Sequence, residues 1–198
     1  MYINSDFSRL EINLNGCLEN YRYFRSKLED KTKLLVLVKA NAYGHGAVQF
    51  ASLMEEAGAD YLAVAYPVEG FELRQAGIKS PIMVLTAGTD SFDPIVNYGL
   101  EPGIPNMYSL KVLCNVLEKR GMTDFPVHIK LDTGMHRLGF MTEELAELMD
   151  FMKECKAVKI KSIYSHLAAS DDPSCDEFAL GQIELFQNNA DALSESLC

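Results

Sequence analysis

The stretch VHIKLDTGMHRLG, Val127 to Gly139, decides how the rest of the chain is read. Its opening residues alternate. Val127, Ile129 and Leu131 share one face of an extended segment, and His128, Lys130 and Asp132 share the other. Two architectures produce that pattern. In a strand whose outer face is covered by helices the polar three point inward, where burial costs roughly several kcal/mol per charge unless they are paired. In a half-exposed edge strand the same three face water. Alternation alone leaves both open.

Outward from this stretch, short β-branched runs alternate with longer segments of helical period, the sequence form of repeated βα units around a parallel sheet. The expected strands are Leu34 to Lys39, Tyr61 to Tyr66, Ile82 to Thr86, Tyr98 to Ile104, Val127 to Asp132 and Ile160 to His166. Helices are expected near Gly16 to Glu29, Ala47 to Ala57, Val68 to Ala76, Asp90 to Asn97, Met107 to Arg120, Thr142 to Lys156 and Asp176 to Leu193. EEAGAD, RQAGIKS and KRGMTD each place glycine just past a periodic segment, where a left-handed cap is usual. No linker-like stretch interrupts the series, so one domain over residues 1–198 is expected.

Six strands at this pace match a (β/α)8 TIM-type barrel, truncated to about six βα units because a full barrel takes about 250 residues. Strands seven and eight would then be absent, and the first and sixth strands would be left as exposed apolar edges. An open doubly wound sheet also accommodates six strands.

Composition narrows the partners. With 48% hydrophobic and 23% charged residues the chain has the makeup of an ordinary globular protein. A formal charge of -10 disfavours nucleic acid and anionic membrane surfaces, which are normally met by clustered Lys and Arg, and leaves small molecules or other proteins as the expected partners. No apolar run approaches a membrane span, and MYINSDFSRL lacks the apolar core of a signal peptide, so a cytoplasmic location is expected. Cys17, Cys114, Cys155, Cys175 and Cys198 show no CxxC or His pairing, so they read as free thiols, mostly buried, with no metal site.

In VLVKANAYGHG, Val36 to Gly46, Lys39 follows an apolar run at the strand's C-terminal end, where α/β folds build their sites. A desolvated lysine there has a lowered pKa, and its neutral amine can attack a carbonyl to form a Schiff base. A lysine reaching from the strand end into water is the competing reading. After the fifth strand, Gly134 and Gly139 flank Arg137, whose guanidinium could bind a carboxylate or phenolate, or simply occupy a surface turn. Tyr164 and His166 share a face of the sixth strand, with His166 at the same end as Lys39 and Arg137.

Three motifs in this order, VKANAYGHG (Val38 to Gly46), KLDTGMHRLG (Lys130 to Gly139) and SHLAASDD (Ser165 to Asp172), resemble alanine racemase, a fold-type III pyridoxal-phosphate enzyme with a (β/α)8 barrel and a β-rich domain. The resemblance implies that Lys39 holds pyridoxal 5'-phosphate and acts as one of two bases at the substrate α-carbon. It gives Tyr43 the cofactor phosphate, Leu85 the pocket wall and His166 the cofactor ring. Arg137 takes the phenolate oxygen and the substrate carboxylate, and Lys130, often carbamylated in this family, gives Arg137 an anionic partner.

It also implies a dimer in which the second base, a tyrosine of the β-rich domain, comes from the partner subunit, so the present chain alone is expected to be an inactive portion. The implied reaction interconverts L- and D-alanine for peptidoglycan, with serine or a broader range as variants. A non-catalytic pyridoxal-phosphate-binding protein is the alternative.

Overall fold

The computed structural model describes residues 10–197, so the segment before Leu10 and the thiol of Cys198 lie outside the described residues. The chain forms two compact units, one up to Ile82 and one from Met83 onward, and the division falls inside a strand.

In the first unit, α1 (Leu14–Ser26) begins at Asn13, whose side chain accepts the Gly16 N–H at 3.1 Å and so caps one of the free donors of the first turn. It leads to β1 (Leu35–Leu37), a one-turn segment α2 (Lys39–Tyr43), α3 (Ala47–Glu56), β2 (Tyr61–Val64), α4 (Pro67–Gln75) and the start of β3 (Ile82–Val84). β1 and β2 pair in parallel, with Leu35 opposite Tyr61 and Leu37 opposite Ala63. Leu62 N–H donates to Pro81 O at 2.9 Å, continuing the ladder toward β3. Ala51 and Met54 of α3 and Leu73 of α4 are buried with Leu62, Ala63 and Val64 of β2. Leu35 and Leu37 stay 38% exposed, which makes β1 the exposed apolar edge expected of it.

The second unit continues through α5 (Phe92–Asn97), β4 (Glu101–Ile104), α6 (Met107–Lys119), β5 (Phe125–Lys130), α7 (Leu145–Glu154), β6 (Val158–Tyr164) and α8 (Asp176–Leu197). All its strand pairs are parallel: β3 with β4, β4 with β5, and β5 with β6. Leu110, Leu113, Cys114 and Leu117 of α6 recur at helical spacing and are buried, which is the amphipathic pattern a helix needs to cover a sheet.

These partners decide between the two readings of the Val127 stretch. β5 has β4 on one side and β6 on the other, and both of its faces are covered. Val127 and Ile129 are fully buried, and so nearly are His128 and Lys130. The edge-strand reading therefore fails and the covered-strand reading holds.

Most strand ends differ from expectation in one direction. β1, β2, β3, β5 and β6 stop at Leu37, Val64, Val84, Lys130 and Tyr164, short of the expected Lys39, Tyr66, Thr86, Asp132 and His166. Hydrogen bonding runs on for one residue, as from Val38 N–H to Ala63 O and from Leu131 N–H to Tyr164 O, both 2.8 Å. Beyond that the chain turns into the loops that carry the site, while its composition remains strand-like.

The thiols differ as well. Among the described cysteines Cys114 alone is buried, and Cys17, Cys155 and Cys175 are half-exposed, because they lie at helix ends or on outer faces.

Candidate functional site

In the first unit, Lys39 does not finish a strand; it starts a turn. Ala40, Asn41, Ala42 and Tyr43 all have left-handed backbone angles, with φ of 52, 56, 51 and 54°. A left-handed turn costs L-residues roughly 1–2 kcal/mol each, so it persists only where its surroundings hold it. The hold is specific. Glu69, near the N-terminus of α4, accepts the Ala40 N–H at 2.6 Å through one carboxylate oxygen. Its other oxygen accepts the N–H groups of Ala65 and Tyr66 at 2.7 and 2.9 Å. Asn41 Oδ1 accepts the Ala47 N–H at 2.7 Å, and Gly44 and Gly46 take positive φ at the exit.

The outcome is that Lys39 Nζ stands 5.7 Å from the centroid of the Tyr43 ring, and Tyr43 is 60% exposed. Ala42 and Tyr43 also border an apolar cavity of about 360 Å3, with Val36, Phe24, Phe50 and Met54.

In the second unit the inward-facing residues of β4, β5 and β6 form polar layers. The lower layer is Glu101, His128 and Ser162: the His128 ring meets Ser162 Oγ at 2.7 Å through Nδ1 and Glu101 Oε2 at 3.0 Å through Nε2. This pairing offsets the cost of a nearly fully buried histidine. Above it, Lys130 Nζ lies 5.1 Å from the Tyr164 ring centroid. Burial holds the Lys130 ammonium below the usual lysine range, the Arg137 guanidinium adds to this, and Asp132 opposes it. The Tyr164 hydroxyl is buried without a hydrogen-bond partner. It rests on Gly103 of β4, where any Cβ would collide with it.

The loop after β5 carries its own latch. Asp132 Oδ1 accepts the N–H groups of Gly134 and His136, both at 3.0 Å. The two ends of the loop are tied by Phe140 N–H to Lys130 O at 2.8 Å and Asp132 N–H to Phe140 O at 3.0 Å. Gly139 has φ +131°, and a Cβ there would meet Asp132 N at 2.5 Å and Leu131 C at 2.6 Å, so the tie needs glycine. Arg137 stands exposed on this loop. Thr133, Tyr164, His166, Gln182, Ile183 and Phe186 line a second cavity of about 340 Å3. Gln182 accepts the Ala168 N–H at 3.0 Å and donates to His166 O at 3.1 Å, fixing the chain beyond β6.

The expected site residues thus fall into two groups. Lys39 and Tyr43 come together in the first unit. Lys130 and Arg137 come together in the second, with Tyr164 over Lys130 and His166 on the neighbouring cavity. Leu85 stands half-buried just past β3. Glu69 was not legible as a site residue, although its place in YPVE, with proline at the first helical position, marks it as a helix cap. Among the described residues no group of three or more His, Cys, Asp or Glu is placed to hold a metal ion, and no helix is long and apolar enough to cross a membrane.

Known proteins resemble this chain in sequence and in fold. The family model for the alanine racemase N-terminal domain matches residues 12–198. The alanine racemase of Synechocystis sp. is 40% identical over 167 residues, which cover 83% of this chain and 45% of that protein. The alanine racemase of Clostridium kluyveri is 38% identical over 174 residues, covering 85% and 44%. Among solved structures, alanine racemase of Clostridium difficile 630 in complex with cycloserine superposes with a TM-score of 0.85 at 31% identity, over 90% of this chain and 50% of that one. The present chain therefore spans about half the length of the proteins it matches. With a family match over nearly its whole length, laid on six βα units that carry the three motifs, this chain belongs to the alanine racemase N-terminal domain family.

Proposed function

We propose that this chain is the cofactor-binding barrel portion of a pyridoxal-phosphate-dependent alanine racemase, which interconverts L- and D-alanine. The observation that carries the reading is the left-handed turn that follows β1, which sets the Lys39 amine beside the exposed Tyr43 ring. The donor set suits pyridoxal phosphate: a primary amine for the aldehyde and a phenol for the phosphate. In the second unit, the unpartnered Tyr164 hydroxyl is a further polar group able to take a ligand.

When bound, the cofactor supplies an electron sink that acidifies the α-proton of an attached amino acid. The rest is done by side chains. Lys39 would hold the cofactor through its amine, and that amine, when free, would remove or return the α-proton on one face. Tyr43 would donate a hydrogen bond to the phosphate, Leu85 would limit the pocket, and His166 would pack against the ring. Arg137 offers its guanidinium to the substrate carboxylate and the phenolate oxygen.

Burial first, and the Arg137 guanidinium second, favour the neutral amine at Lys130 over its ammonium, against the opposing Asp132. Such an amine adds carbon dioxide, losing one proton, to become a carbamate that would pair with Arg137. Racemisation needs a base on each face, so the activity is that of the complete dimeric enzyme, working in the cytoplasm on a small amino acid.

The test begins with pyridoxal phosphate added to this protein. A visible absorbance band should appear, and borohydride should fix the label on Lys39; no band, or label on another lysine, overturns the reading. Chiral chromatography of alanine after incubation with the complete polypeptide then separates a racemase from a cofactor-binding protein without turnover.

A further inference from the structure

A pair of thiols in the second unit lies apart from every residue given a role above. Cys114 sits on the buried face of α6, and Cys155 closes the C-terminus of α7 just before β6. They are 41 residues apart in sequence, yet their sulfurs are 3.4 Å from each other. A disulfide needs about 2.05 Å between sulfurs, a closure of roughly 1.4 Å from the observed separation. Cys155 is suited to supply that movement. Its backbone has left the helix, with φ -78° and ψ 113°.

The two thiols differ in access. Cys114 is 3% exposed and Cys155 is half-buried, so an external reagent meets Cys155 first. Burial pushes the Cys114 thiol well above the usual cysteine range, and the neighbouring Cys155 and Glu118 add to this, so Cys114 stays protonated until a partner is bound beside it.

We propose that Cys114 and Cys155 are a site of reversible oxidation, closing to an intramolecular disulfide on reaction with a small-molecule disulfide such as oxidised glutathione. The thiolate of Cys155 attacks one sulfur of the reagent, its S–S bond breaks, and one glutathione thiolate leaves. Cys114 then gives up its proton and attacks Sγ of the mixed disulfide, and the second glutathione leaves. Two protein thiols are oxidised, one glutathione disulfide is reduced to two thiols, and the two protons lost by the protein are taken up by the leaving groups. The product ties α6 to the segment that enters β6.

The experiment is exposure of the folded chain to oxidised glutathione, followed by acid quenching, intact-mass measurement and peptide mapping. The expected result is a loss of about 2 Da with a linked Cys114–Cys155 peptide, reversed by dithiothreitol. Cys155→Ser, at a half-buried position with little packing to lose, should abolish the loss, and Cys17→Ser should retain it. A persistent glutathione adduct on Cys155, a different cysteine pair, no mass change, or linkage only after unfolding in urea would each overturn the proposal. Because the readout is a bond between two thiols, it is independent of cofactor binding and racemisation.

Discussion

The turn after β1 and the loop after β5 are both held by a carboxylate that accepts backbone N–H groups, but the carboxylates come from different places. Asp132 belongs to the loop it fastens, and the N–H groups it accepts lie two and four residues ahead. Glu69 belongs to α4 and reaches back 29 residues to Ala40. The loop after β5 therefore supplies its own latch, although Ser165 and Gln182 also bond its first residues, and it uses glycine at two of its three positive-φ positions, Gly134 and Gly139, with His136 the third. The turn after β1 forces four consecutive non-glycine residues into the left-handed region and relies on another βα segment to keep them there. The backbone that follows Lys39 is thus held by a residue of a different element.

The sharpest way to break this contrast is at Gly139. Gly139→Ala would drive a methyl into the Leu131–Asp132 backbone, which has no room to yield, and an expected cost of about 3 kcal/mol should appear as a lowered urea midpoint. Amide hydrogen exchange should quicken at Gly134 and His136 and stay unchanged at Ala40. Faster exchange at Ala40 would mean that the two regions are not independently held.

Glu69→Ala tests the other side and should cost about 2 kcal/mol, less than three charge-assisted bonds sum to, because two of the three freed amides lie on exposed residues that water can reach. Exchange should quicken at Ala40, Ala65 and Tyr66 and not at Gly134. Capture of pyridoxal phosphate at Lys39 should fall with it. An Ala40 amide that remains protected in this variant would show that the left-handed turn stands without Glu69.

The same contrast explains what can be read in the sequence. The βα order and the polar row His128, Lys130, Asp132 are legible because periodicity and cap glycines are local signals, whereas the covering of β5 is decided only by its strand partners. Lys130 and Arg137 fall seven residues apart within one motif, and the structure brings them together. The left-handed turn is barely legible: KANAY contains no glycine, alanine is the strongest helix former, and Asn41 is the one residue of the stretch that tolerates positive φ, as a single residue and not as a run of four. Its cause is Glu69, whose sequence signal is that of an ordinary helix cap. Cys114 and Cys155 likewise read as unrelated thiols, since contact between α6 and the end of α7 is a product of tertiary packing with no spacing signature.

The smallest expected effect is the most selective. In Asp132, desolvation raises the pKa, but the Gly134 and His136 N–H groups and the His136 ring outweigh it, so the folded carboxyl lies below the usual aspartate range. A carboxyl that ionises at lower pH when folded contributes stability above its unfolded pKa, about 3.9, and loses that contribution as pH falls through the lower folded value. Asp132→Asn keeps an oxygen able to accept both N–H groups at Oδ1 and removes only the charge. The variant should therefore be less stable than the parent by about 1 kcal/mol at neutral pH, with the gap closing below about pH 4. Urea midpoints measured across that range decide it. A gap independent of pH would show that the latch works by geometry alone, in which case the two carboxylates differ only in the element that supplies them.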